Sequence, residues 1–281
     1  MINFITLSAD RRPSLSRPLI MGILNVTPDS FSDGGKFARF EAAVAQAMQM
    51  QNEGADIIDI GGESSRPGAE PVSAQDEMER VLPAIKEIRR LSPIQISIDT
   101  YKAATAEAAL AAGANIVNDI SALRFDPAMV DLLARTDVPV ILMHMLGTPR
   151  DMQQNPTYTD CVKEIGDFFG ERIEFCRSRG IGKERLILDP GIGFGKRLED
   201  NLAILRELEQ FKRFGLPVLV GASRKSFIGK VASSERPAGE RLGGSIAAAV
   251  VAALHGADIV RVHDVAETVE ALRVVQAIRE L

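Results

Sequence analysis

Cysteine is nearly missing from this 281-residue chain, which has only Cys161 and Cys176. Both fall in one expected helix, where fifteen residues at about 1.5 Å rise set them roughly 22 Å apart. A disulfide needs Cα atoms within about 7 Å, so the two cannot pair within that helix. No Cys/His spacing of a metal site occurs either, and two plain thiols in a reducing cytosol are expected. Long hydrophobic runs are also lacking. The most apolar stretch, residues 245–254, falls far short of the ~20 residues a membrane span needs. The N-terminal MINFITLSADRRPSLS has no uninterrupted apolar segment and no cleavage signature, so no signal peptide is expected. Excess positive charge is absent as well: 33 basic against 38 acidic residues give a formal −5. That balance speaks against a nucleic-acid or anionic-membrane partner while leaving room for a local basic pocket. A cytoplasmic protein acting on small molecules is the expectation.

What is present is a repeating alternation. Short runs rich in Ile, Val and Leu recur at 19–26, 56–60, 94–99, 115–120, 138–144, 185–189, 217–223 and 258–264. They lack polar alternation, as parallel strands covered on both faces do. Helical patterns lie between them. Met78, Val81, Leu82, Ile85 and Ile88 form one stripe after Ser73, a good N-cap, and another helix begins near Glu41 with Phe40, Val44 and Met48 four apart. Gly54-Ala55-Asp56, Gly113-Ala114-Asn115 and Gly256-Ala257-Asp258 each close a helix and open a strand. Eight such units suit a (β/α)₈ barrel, which runs to about 250 residues as one domain, better than an open doubly wound sheet. One domain spanning 1–281 is expected, with residues 1–17, turning at Arg11-Arg12-Pro13, as a short N-terminal hairpin at the barrel's bottom.

Barrel enzymes build their sites at the C-terminal strand ends, and here those ends are polar: Asn25, Asp59 and Glu63, Asp99, Asn118 and Asp119, His144, Asp189, Ser223-Arg224-Lys225, and Arg261 with His263. Several carboxylates and cations converging on one dry face must be matched by a ligand or by each other. Strands 8 and 1 adjoin on closure, so Arg261, His263 and Asn25 are expected together as a diphosphate clamp. Arg supplies the donor fork and Asn an oxygen acceptable to Mg²⁺. Across the barrel, Asp99, Asn118 and Asp189 combine acceptors with an amide donor, a set suited to a flat amino-pyrimidinone heterocycle, with Met143 and Ile120 on its faces. The glycine-rich segment from Asp189 to Lys196 fails both nucleotide templates, having Lys196 where one needs Gly, and Pro190 and Arg197 where the other needs Gly and Ser/Thr. It is expected as a tight turn beside the ligand. Three long loops, 25–40, 61–73 and 143–158, have the length of lids or binding loops.

In order along the chain, Met21-Gly22-Ile23-Leu24-Asn25-Val26-Thr27-Pro28-Asp29-Ser30-Phe31-Ser32-Asp33-Gly34-Gly35 and Asp59-Ile60-Gly61-Gly62-Glu63-Ser64-Ser65-Arg66-Pro67-Gly68 are followed by Ser97-Ile98-Asp99-Thr100. Asn118-Asp119-Ile120, Met143-His144, Asp189 to Lys196, Ser223-Arg224-Lys225-Ser226 and Arg261-Val262-His263-Asp264 complete the series. Together these segments resemble the dihydropteroate synthase family of pterin-binding enzymes. The resemblance implies condensation of 6-hydroxymethyl-7,8-dihydropterin diphosphate with 4-aminobenzoate to give 7,8-dihydropteroate and diphosphate, with Mg²⁺, in a homodimer. It implies pterin contacts at Asp99, Asn118, Ile120, Met143, Asp189, Gly221 and Lys225, and diphosphate contacts at Asn25, Arg261 and His263, with Asn25 also on the metal. It implies an aminobenzoate site from Phe31, Ser65, Arg66, Pro67, Phe194 and Ser223, with Asp99, Lys225, Arg261 and His263 closest to the chemistry. Ser65 stands where the family usually has Thr. The lost methyl, about 0.8 kcal/mol if buried, bears on loop packing and sulfonamide affinity rather than on the reaction. A pterin-dependent methyltransferase barrel would share the pterin residues but has no need of the two loops or the clamp; a non-catalytic paralogue would show losses among them.

Overall fold

The computed structural model describes residues 17–27, 36–65, 68–234 and 236–280, with only the backbone of 36–39. The expected N-terminal hairpin lies outside these residues. Eight strands form as the apolar runs require: β1 (Leu19–Asn25), β2 (Ile57–Gly61), β3 (Gln95–Asp99), β4 (Ile116–Asp119), β5 (Val140–Met143), β6 (Leu186–Asp189), β7 (Leu219–Val220) and β8 (Ile259–Val262). All pair in parallel, in the order β6-β5-β4-β3-β2-β1-β8-β7. A bridge between Leu188 and Val218 joins the two ends, with the Leu188 amide donating to the Pro217 carbonyl at 2.9 Å. That seam makes the sheet a barrel and removes the open doubly wound alternative.

The helices are α1 (Lys36–Glu53), α2 (Ala74–Leu91), α3 (Ala103–Ala112), α4 (Pro127–Ala134), α5 (Cys161–Ser178), α6 (Leu198–Arg206), α7 (Ser226–Val231), α8 (Leu242–Leu254) and α9 (Val265–Arg279). In α2 the Ser73 hydroxyl accepts from the Asp76 amide at 3.0 Å, and Val81, Ile85 and Ile88 are fully buried. Met78 and Leu82 sit at the margin of that face, and Glu77 takes a buried place on it. Helix α1 starts at Lys36, earlier than the Phe40–Val44–Met48 stripe suggests. Both cysteines lie buried and unbridged in α5, and burial pushes their thiols up to about 12 and about 11.

The three Gly-Ala-Asp/Asn repeats do more than end helices. Gly54, Gly113 and Gly256 take positive φ as expected. The acid or amide two residues later caps a neighbouring strand: Asp56 accepts from the Ile20 amide at 2.7 Å, Asn115 from Ile96 at 3.1 Å, and Asp258 from Val218 at 2.7 Å. Each satisfies a backbone donor at the barrel's lower rim that would otherwise be left without a partner.

Strand alternation then sets the site. One residue from each of seven strands, Met21, Ile57, Ile116, Ile141, Ile187, Leu219 and Ile259, packs into a single apolar layer inside the barrel. Successive side chains alternate faces, so the residue two further on points the same way. Two beyond Ile57, Ile116, Ile141, Ile187, Leu219 and Ile259 stand Asp59, Asn118, Met143, Asp189, Gly221 and Arg261. A dry plug thus lies directly beneath a mostly polar layer.

Candidate active site

In that layer Arg261 is the hub. Its Nε donates to Asp59 Oδ2 at 2.6 Å and its Nη2 to Asp99 Oδ2 at 2.8 Å. Asn118 Nδ2 also donates to Asp59 Oδ2, at 3.2 Å. Asp59 is fully buried, and among the described residues its second oxygen has no hydrogen-bond partner. Burial pushes Asp99 up to about 7; Arg261 opposes the shift, while Asp59, Glu77 and Asp119 add to it. Burial works against the Arg261 charge, but Asp59 and Asp99 outweigh it and raise its pKa further. The expected grouping of Arg261 with Asn25 and His263 is met in part. Strands β1 and β8 do pair, yet the Arg261 contacts run across the barrel to β2 and β3, since a buried guanidinium takes the carboxylates within reach. Asn25 Oδ1 and Asp99 Oδ2 flank Gly61, within 3.8 and 3.7 Å of where a Cβ there would sit.

Asp189 and Lys225 occupy the opposite wall. Asp189 accepts from the Gly191 amide at 2.7 Å, and burial raises its pKa against the pull of Lys225. The Lys225 ammonium donates to the Ile192 carbonyl and lies 4.4 Å from the Phe194 ring centroid. Burial pushes it down to about 8, with Asp189 and Asp99 opposing. The 189–196 segment forms the expected tight turn. A Cβ on Gly191 would lie 2.0 Å from the His144 carbonyl oxygen, so no other residue fits there. Lys196, the last residue of the glycine-rich motif, is buried behind this turn. Its ammonium reaches His144 Nδ1 at 3.0 Å, the His144 carbonyl at 3.3 Å and the Phe194 carbonyl at 2.9 Å. Burial pushes Lys196 down to about 7 and His144 well below its ordinary value. His144 packs edge-on against Phe168 of α5, at 4.9 Å between centroids, so its ring serves this packing.

Strand β7 is shorter than its apolar run. After Val220 the chain turns, and Arg224 adopts a left-handed φ of 59°. Three partners brace it: Ser245 Oγ accepts from its amide at 2.9 Å, Arg241 donates to its carbonyl at 2.9 Å, and its guanidinium pairs with Asp264. The bend aims Ser223 at His263, with Oγ 3.0 Å from Nδ1. Gly221 lies against Arg261, whose Cβ would be 3.7 Å from an added methyl. His255, away from the site, has Nδ1 3.0 Å from the Leu205 carbonyl.

Ile120 and Met143 cluster with Met145 and Met152, flanked by Tyr101, Phe125 and Phe194. This gives the polar layer one apolar wall, and it joins the two expected heterocycle residues to Phe194. Asp119 faces away from it; its carboxylate closes the following turn by accepting from the Ser121 and Leu123 amides at 2.7 and 3.0 Å. Ser65 lines a crevice of about 10 Å³ with Glu63, Asp99 and Ile120. Phe31, Arg66 and Pro67 lie outside the described residues. Asp59 and Glu63 carry no assigned role in the sequence beyond bracing the second loop, and Lys196 stands there only within the glycine-rich motif. A signal existed for Asp59, which stands two after an inward Ile; none marked Lys196 as a buried cation.

The sequence matches the pterin binding enzyme family over residues 21–263. It is 51% identical over 263 residues to the dihydropteroate synthase of Escherichia coli, covering 94% of this chain and 92% of that one. The chain belongs to the dihydropteroate synthase family. Solved structures agree: a Xanthomonas albilineans dihydropteroate synthase with 4-aminobenzoic acid superposes at TM-score 0.89 and 47% identity, over 95% of each chain. A structure of the enzyme from the same organism, in complex with 7,8-dihydropteroate, gives 0.86 and 44%, over 97% and 98%. The family match runs from Met21, in the barrel's apolar layer, to His263 beside Ser223, so every C-terminal strand end falls inside the matched pterin binding enzyme region.

Proposed function

We propose that this chain makes 7,8-dihydropteroate from 6-hydroxymethyl-7,8-dihydropterin diphosphate and 4-aminobenzoate at the strand-end layer of its single barrel. The observation that carries the reading is the polar ring of Asp59, Asp99, Asn118, Asp189, Lys225 and Arg261 set directly above a dry plug and beside the Ile120–Met143 wall. The ligands named for the Xanthomonas relatives, 4-aminobenzoic acid and 7,8-dihydropteroate, correspond to the second substrate and the product.

In this reading Asp99, Asn118 and Asp189 meet the hydrogen-bonding edge of the pterin. Ile120 and Met143 cover its faces, Gly221 leaves it room, and Lys225, held over Phe194, orients it. Asn25, Arg261 and His263 take the diphosphate. Phe31, Ser65, Arg66, Pro67, Phe194 and Ser223 form the arylamine site. Diphosphate departs first, its growing charge offset by Arg261 and His263, and the positive charge left on the pterin is favoured by the Asp99 carboxylate. The loops after β1 and β2 then present the amine in line and exclude water, whose attack would waste the intermediate.

Mg²⁺ suits the site. The Asn25 side-chain oxygen lies near Asp99 across Gly61, and a magnesium ion takes one or two protein oxygens together with phosphate oxygens and water. When bound by Asn25 it would supply charge neutralisation for the leaving diphosphate. A homodimer is supported by exposed Val251 and Leu254 on α8 and Val274 and Ile278 on α9, two helices packed side by side. A cytosolic location accords with two buried, unbridged cysteines and with no helix among the described residues long and apolar enough to cross a membrane.

Diphosphate release from the dihydropterin diphosphate that requires 4-aminobenzoate is the expected outcome. A folded, pterin-binding sample without that release would overturn the reading. It would point instead to a binding paralogue or, if a methyl group were transferred, to a methyltransferase barrel.

A further inference from the structure

A second buried charge cluster lies beside the site and has no part in the roles above. The Glu63 carboxylate, at the root of the loop after β2, accepts from Tyr101 Oη at 2.8 Å and from the Val72 amide at 3.1 Å, and it pairs with the Lys102 ammonium. The Val72 bond ties the two ends of the loop together, nine residues apart, with Ser65 to Gly68 between them. The Tyr101 and Lys102 bonds tie that closed base to the turn directly after Asp99. Lys102 also reaches Glu77 of α2 at 3.1 Å, on the oxygen that accepts from Thr100 and Thr105 at 3.1 and 2.9 Å. Two carboxylates thus share one ammonium in a setting where Glu63 and Lys102 are 11% and 14% exposed and Glu77 is 1%.

The cluster is joined to the slot at both ends. Tyr101 packs edge-on against Phe125, 5.4 Å between centroids, and both flank the Ile120–Met143 wall. Glu63, Ser65, Asp99, Tyr101 and Ile120 line one crevice. The position of Ser65 therefore follows that of the strand end carrying Asp99.

We propose that Glu63 and Lys102 are positioning residues for arylamine binding: their ion pair is a strut that holds Ser65 in register with Asp99. The inference rests on the assignment of Ser65, and the loop it opens, to 4-aminobenzoate. Lys102 matters more than either carboxylate, because without it Glu63 and Glu77 are left as two buried like charges. Their repulsion and desolvation are relieved by moving Glu63, and Ser65 with it, away from Glu77.

The experiment measures steady-state kinetics of the full-length protein with both substrates. Lys102→Met is expected to raise KM for 4-aminobenzoate about tenfold while KM for the pterin diphosphate stays within about twofold. Lys102→Arg keeps the charge and should restore most of the affinity. Glu63→Gln, which keeps shape and serves if Lys102→Met does not fold, should raise the arylamine KM as well. The Glu63→Gln/Lys102→Met double variant should be less impaired than the sum of the two, since removing Glu63's charge relieves the clash. Unchanged arylamine KM in both single variants, or equal rises in both KM values, would overturn the strut. Arg66→Ala, a change in the loop itself, separates the two levels. If it raises the arylamine KM while the strut variants do not, only the strut fails. If it too has no effect, the assignment of the loop fails.

Discussion

Arg261 and Asp59 meet at 2.6 Å at the centre of the barrel mouth, and the other oxygen of Asp59 has no partner among the described residues. A buried carboxylate half satisfied in this way is costly, and its pairing with the guanidinium is what offsets that cost. Arg261 is held in one plane by Asp59 and Asp99 together, so the two carboxylates set the orientation of the group expected to face the diphosphate.

Removing the Asp59 charge should therefore loosen Arg261. Asp59→Asn is expected to lower unfolding stability by about 3 kcal/mol, the low end for breaking a buried pair. It should also lower kcat/KM at least tenfold, about 1.4 kcal/mol of transition-state stabilisation. Urea unfolding and steady-state kinetics check both; an unchanged midpoint with full activity would show that Arg261 stands without Asp59.

Asp99 gives a pH signature. Its pKa rises from 3.8 to about 7 on folding, chiefly through burial. Between those values the folded chain keeps a proton that the unfolded chain has lost. The stability linked to that proton is fully present below the lower value and lost as pH rises through about 7. The Tm of Asp99→Asn, which mimics the protonated form, should compare more favourably with that of the parent at pH 8 than at pH 5. Thermal scans at the two pH values decide it, and a difference independent of pH would contradict the shift.

Lys196 shifts the other way for a cation, from 10.5 to about 7, again through burial. Here the unfolded chain holds the extra proton, so this group's contribution to stability grows as pH rises from about 7 toward 10.5. Lys196→Met should compare best with the parent near pH 7 and lose ground toward pH 10. Because Lys196 ties the Phe194 carbonyl to His144, the same variant should weaken arylamine binding; a competition titration with a sulfonamide measures that.

Arg224 carries its strain in the backbone. Arg224→Ala and Arg224→Gly both remove the pair with Asp264, but only glycine accepts the left-handed φ of 59° freely. The alanine variant should be less stable by about 1 kcal/mol than the glycine variant. Equal unfolding midpoints would place the strain elsewhere.

Much of this architecture was legible in the chain. The eight apolar runs marked the strands, Ser73 marked the start of α2, and the strand-end motifs marked the family. Those features are local: alternation, capping and turn chemistry act over a few residues, so they are written in neighbouring positions. The Gly-Ala-Asp/Asn repeats were legible as punctuation, but their caps to Ile20, Ile96 and Val218 join segments far apart in sequence.

By itself, then, the sequence determined the barrel and the residue types at its mouth. The tertiary structure decided which of those residues share a charge. It turned Arg261 toward Asp59 and Asp99, set Lys196 behind the glycine turn, and joined Glu63 to Lys102. Pairing of buried charges depends on distances across the closed barrel and on the loss of water between groups tens to hundreds of residues apart. No local pattern records that, and only folding brings the partners within reach.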